Sequence, residues 1–220
     1  MKIIKILSAL VAFLFLSGAQ CTISGTSGGG SSEDEEELPA GLVIVIADGQ
    51  LIDGPVEGVQ FESGSVRGIT GPNGEFRFEE GNTIRFFIGD IALGQPVPAK
   101  TLMTPIDLVP GGDLTDPEVT NIARLLQSLD AVPGDGRITI PGSILASASA
   151  SHPVIGATLE HLDFADNEAF ANSGSQLVAT LTENFAFTAT LVDADTARRH
   201  MQASLEQFGP TGSRGLPSAP

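Results

Sequence analysis

The sequence predicts an α+β protein, an N-terminal antiparallel β-sandwich packed against C-terminal helices. Between positions 41 and 112, short runs alternate apolar and polar residues with period two and are punctuated by Gly, Pro and Asn, the signature of strands and turns. Between 113 and 209 the apolar residues recur at helical spacing. Strands first and helices after argue for segregated layers rather than a βαβ alternation.

The chain opens MKIIKILSALVAFLFLSGAQC, with Lys2 and Lys5 before an apolar stretch from Ile6 to Leu16 and small residues Ser17, Gly18 and Ala19 behind it. That stretch is shorter than the roughly 20 residues a membrane-spanning helix needs, and the pattern predicts a signal peptide over 1–20. Cys21, the single cysteine of the chain, follows directly, so no intrachain disulfide is possible and the core must hold by packing. The junction resembles the lipobox of bacterial lipoproteins, with Gly18 and Gln20 where that pattern has Leu and a small residue. The resemblance implies that Cys21 is acylated and becomes the mature N-terminus, anchored in the bacterial envelope at the outer membrane or cell surface. Cleavage after Ala19 and plain secretion is the alternative. One acyl chain binds a membrane only marginally, so stable anchoring needs more than one.

Residues 21–40 are Gly/Ser-rich and end in the acidic run Glu33–Glu37, a composition that predicts a self-repelling tether with a reach on the order of 25 Å. Gly25-Thr26-Ser27-Gly28-Gly29 matches G-x-S-x-G formally, but a nucleophile elbow needs a strand before the serine and a helix after it. Residues 210–220 are a Pro/Gly/Ser-rich tail. The formal charge is −16, and removing the leader leaves nine Lys and Arg against 27 Asp and Glu. So acidic a protein has no electrostatic footprint for nucleic acid and gains nothing from anionic lipid.

In the expected β-sandwich, 41–112, the run Gly41–Ala47 reads as a first strand covered on both faces, or, through Leu42–Ile46, as a strand donated to a neighbour's sheet edge. GVQFES points Val59 and Phe61 inward, and SVRGIT is a further strand. Pro72-Asn73-Gly74 is a turn in which Asn73 and Gly74 tolerate positive φ. EFRFE and TIRFFIGD, joined by Glu80, Gly81 and Asn82, read as a hairpin whose inward face is Phe76, Phe78, Ile84, Phe86 and Ile88.

The run Asp53-Gly54-Pro55-Val56-Glu57-Gly58-Val59, then Thr70, then Asn73-Gly74-Glu75-Phe76-Arg77-Phe78, resembles the carboxypeptidase-regulatory-like, transthyretin-type β-sandwich modules. That resemblance implies a seven-strand type of sandwich, normally non-catalytic. FFIGDIALG, LMTPIDLV and NIARLLQSLD, in this order, resemble the N-terminal segment of glycine-rich secreted or lipid-anchored bacterial surface proteins.

The segment 113–209 is expected to be mainly helical. In LTDPEVTNIARLLQSLD, Thr115 and Glu118 have capping-box spacing, Asp116 is a capping residue, and Pro117 suits a first turn. Val119, Ile122, Ala123, Leu126 and Leu129 form one apolar stripe. DNEAFAN and SQLVATLTENF are shorter helices. DADTARRHMQASLEQFG closes the domain, with Asp193 or Asp195 as cap, Ala197, Met201, Leu205 and Phe208 inward, and Gly209 as stop.

Candidate sites are few. Asp130 and Asp135, in the Pro/Gly loop LDAVPGDGRITI, offer carboxylates to calcium, though Val132 and Gly134 stand where an EF-hand has ligands. Asp48, Asp53, Asp113 and Asp116 lie in similar loops. His152, His161 and His200 have no ligand spacing, and Arg198-Arg199-His200 reads as a solvated helix face. No catalytic residue and no required cofactor is expected. Trp and Tyr are both absent, which disfavours sugar-stacking platforms and aromatic interface hot spots. These readings converge on a non-enzymatic surface or secreted lipoprotein with a structural, adhesive or assembly role. Its partners would be the membrane, through the lipid, and protein partners or further copies of itself. A calcium- or ligand-binding accessory module and an extracytoplasmic hydrolase are the alternatives.

Overall fold

The computed structural model describes residues 43–209; the expectations for the leader, Cys21, the tether and the tail concern residues outside that range. Antiparallel sheets occupy the N-terminal part and helices the C-terminal part, as the sequence predicts. One sheet has the order β5-β1-β8, with β1 at Ile46–Leu51, β5 at Glu75–Glu79 and β8 at Leu102–Met103. The other has the order β4-β3-β6-β7, with β3 at Gln60–Ser63, β4 at Val66–Ile69, β6 at Thr83–Ile88 and β7 at Ile91–Pro98. Every pairing in these sheets is antiparallel except β1 with β8.

Alternation identifies the inward face correctly: Phe76, Phe78, Ile84, Phe86 and Ile88 are all buried. The hairpin, however, does not form. β5 pairs with β1, whereas β6 pairs with β3 and β7, so the link 80–82 carries the chain from one sheet to the other. The two strands face each other across the sandwich, and Phe76 touches Phe61 and Phe86 of the opposite sheet. Face-to-face packing brings the rings of the two strands into contact within one shared core layer.

The first strand is also displaced. It begins at Ile46, and Val43 to Ile46 are exposed, Val43 by 83%. The inward positions are Ala47, Gly49 and Leu51, because Phe76 fills the space above Gly49: a Cβ there would lie 2.5 Å from its ring. Gly74 alone of the turn pair takes positive φ, and Thr70, buried, accepts a hydrogen bond from Val59 N–H at 2.9 Å.

Helix α1, Pro117–Ser128, carries its predicted stripe fully buried and packs against β7. Its cap is Asp116, which accepts from Glu118 N–H, while Thr115 turns to Asp113, so no Thr115–Glu118 box forms. Two short helices, α2 at Gly142–Ser147 and α3 at Pro153–Leu159, lack a clear signal in the sequence. The two candidates after them merge into one helix, α4, Asn167–Leu181, since Gly174 gives room to the Phe170 ring rather than ending the helix. Helix α5, Ala194–Phe208, is capped by Asp193 and buries Ala197, Met201 and Ser204. A parallel bridge of β2, Val56–Glu57, with β9, Ile138–Thr139, ties the helical part to the sandwich. The buried apolar residues of both parts form one continuous cluster.

Within the helical part, Asn121 is fully buried and its amide donates to the Phe164 carbonyl at 2.8 Å. Its oxygen accepts from Arg124, whose Nε reaches the Val192 carbonyl at 2.7 Å and whose guanidinium lies over Phe170. Burial lowers the Arg124 pKa from its ordinary value.

Candidate functional site

A buried polar cluster lies where the turn after β1 meets α1 and α5. Asp53 is 0% exposed, and a buried carboxylate is tolerated only with hydrogen-bonding partners. It has two. One oxygen accepts from Gln127 Nε2 at 2.9 Å, and the other stands 2.9 Å from His200 Nδ1. Beside it, Gly54 N–H donates to Ser204 Oγ at 2.6 Å. His200 and Ser204 are four residues apart on α5 and so share a face, while Gln127 projects from α1.

His200 therefore departs from the expectation of a solvated face. It is half-buried, and the hydrogen bond that its Nδ1–H donates to Asp53 raises its pKa above the usual imidazole value. Burial opposes that shift, and the charges of Asp53 and Asp130 add to it. The sequence offered only a weak signal: position 200 sits next to Met201 of the predicted inward face Ala197, Met201, Leu205 and Phe208. An imidazole held by its Nδ1 to a buried carboxylate keeps its proton to higher pH than a free one. The neighbouring serine is not a free nucleophile, since its hydroxyl is buried and accepts the Gly54 N–H.

The other two histidines stand apart from it. His152 caps α3, accepting weakly from Ile155 N–H at 3.4 Å, and His161 is exposed. Among the described residues neither meets a carboxylate within bonding distance.

Asp130 and Asp135 shape their own loop. Asp130 Oδ1 accepts from both Val132 N–H and Thr139 N–H at 3.0 Å, closing the path from α1 to β9. Asp135 accepts from Arg137 N–H at 2.9 Å and pairs with its guanidinium. Among the described residues no three His, Cys, Asp or Glu side chains are grouped to hold a metal. Asp113 and Asp116 likewise bind Thr115 and Glu118, and Asp48 is exposed.

On the outer face of the second sheet a depression of about 320 Å³ is lined by Glu62, Arg85, Phe87, Asp90 and Pro96. Arg85 pairs with Glu62 and lies over the Phe87 ring at 5.6 Å, so Phe87 faces this surface and not the helices. No described helix is long and apolar enough to cross a membrane.

No protein-family model and no solved structure matches the chain. A segment of 54 residues, 23% of the chain, is 44% identical to a protein of Escherichia coli (strain K12) named "Putative lipoprotein AcfD homolog". The chain spans only 4% of the length of that relative, so the similarity is local.

Proposed function

We propose that the chain is a non-enzymatic envelope lipoprotein, anchored through acylated Cys21, whose α+β domain has a structural, adhesive or assembly role. The observation that carries this reading is the 44% identity over 54 residues with the protein named "Putative lipoprotein AcfD homolog", joined to the predicted leader 1–20 directly before Cys21. The seven strands of the two sheets, with Thr70 and Gly74 in backbone-supporting positions, support reading 41–112 as a module of the carboxypeptidase-regulatory-like type.

Assembly has a specific surface in its favour. Val43 to Ile46 are consecutive exposed aliphatics, and β8 pairs with β1 only at Gln50 and Leu51. An open apolar edge of this kind invites strand addition.

The test is metabolic labelling with a palmitate analogue and membrane fractionation of the full chain, wild type against Cys21→Ala. The wild type should carry the label and sediment with membranes. The variant should lose the label and either be released or keep its leader. A Cys21→Ala protein that stays membrane-bound with its leader removed would overturn the anchoring. For assembly, sizing of the mature protein should show oligomers that Ile44→Lys with Ile46→Lys abolishes; monomer alone under all conditions would remove that role.

A further inference from the structure

We propose that Asp53 and His200 form a proton-operated clasp, holding α5 to the sandwich more tightly with the imidazole protonated than with it neutral. The geometry makes the contact sensitive to charge. Asp53 is wholly buried, so its field is poorly screened, and apart from neutral Gln127 its bonded partner is His200, 147 residues away in sequence. The other charges around the imidazole do not duplicate it. Asp130, at the end of α1, adds in the same sense. Arg137, on the segment before β9, is paired with Asp135. On α5 itself Arg198 pairs with Asp195, and Arg199 donates to Thr196.

The direction follows from linkage. The folded-state pKa of His200 is raised above the ordinary 6.5, so the clasp is complete below that value and weakens as pH rises through the raised one. Neutral imidazole still donates Nδ1–H to Asp53, and Ala197, Met201 and Ser204 stay buried, so α5 loosens and does not detach. The consequence is a C-terminal helix whose opening is set by external pH, a property independent of how the chain is anchored.

Two measurements on the full chain test it. His200 is titrated by NMR in the wild type and in Asp53→Asn, and amide hydrogen exchange of α5 and α4 is compared between pH 6 and pH 9 after correction for intrinsic rates. The wild-type imidazole should titrate above that of Asp53→Asn. The protection of α5 should fall relative to α4 by up to about tenfold for each unit by which the pKa is raised, and in His200→Gln this differential loss should vanish. Equal titration in both proteins, or parallel loss in α4 and α5, or a loss that persists in His200→Gln, would overturn the clasp.

Discussion

Phe76 and Phe86 meet edge to face with their ring centroids 5.2 Å apart, although they stand on β5 and β6, strands of different sheets. Phe61 and Phe78 surround Phe76 at 5.9 Å, so one ring joins both layers of the sandwich. Phe76→Ala should therefore cost about 3–5 kcal/mol, and Phe76→Leu distinctly less because it leaves a smaller cavity. Urea unfolding checks this. A cost under about 1 kcal/mol for the alanine would mean that the two sheets are not held together at this point.

Much of this packing was legible in the sequence, and the reason for the exceptions is physical. Period-two alternation reports which face of a strand is buried, so the inward set of β5 and β6 was readable. It does not report which neighbour supplies the hydrogen bonds, and the link Glu80-Gly81-Asn82 suits a hairpin as well as a crossing between sheets. Local hydrophobicity misplaced β1 for a related reason. Its inward residue Gly49 has no side chain because Phe76 occupies that space, while the aliphatic run before it lies at the surface. His200 was hidden because its partner Asp53 is contributed by a distant turn, and no spacing rule joins positions 53 and 200.

Gly58 holds the second junction between the two halves of the domain. It sits at φ +89, and a Cβ would lie 2.0 Å from the Ile140 carbonyl oxygen. Gly134 has φ +92 with nothing within 4 Å of a Cβ. Both alanine substitutions carry the backbone cost of about 1–3 kcal/mol, but only Gly58→Ala also forces Glu57 and Ile140 apart. Gly58→Ala should lower the melting temperature clearly more than Gly134→Ala. Equal losses would show that the β2–β9 bridge yields without cost.

The Asp130 carboxylate separates a structural loop from a calcium site. Its Oδ1 accepts two backbone N–H groups, and an asparagine oxygen can accept the same pair. Asp130→Asn should retain most of the stability, whereas Asp130→Ala, which leaves both donors unpaired, should cost about 1–3 kcal/mol. EDTA should leave the wild-type melting temperature unchanged. A drop with EDTA that calcium restores, and that Asp130→Asn abolishes, would support calcium binding here.

The two ends of the α5 attachment titrate in opposite senses. Asp193, the cap, has its pKa lowered by the Thr196 hydroxyl and then by the Thr196 N–H, from an ordinary value of 3.8. A depressed carboxylate gives its support in full above the unfolded value and loses it as pH falls through the folded one. His200, raised from 6.5, gives its support below the unfolded value and loses it as pH rises. If the clasp operates, the protection of α5 relative to α4 should pass through a plateau bounded by these two limbs. Asp193→Ser keeps a capping oxygen without the titration, so it should flatten the acid limb alone. His200→Gln should flatten the alkaline limb alone. A single substitution that flattened both limbs would mean that α5 responds to the charge of the whole domain and not to these two contacts.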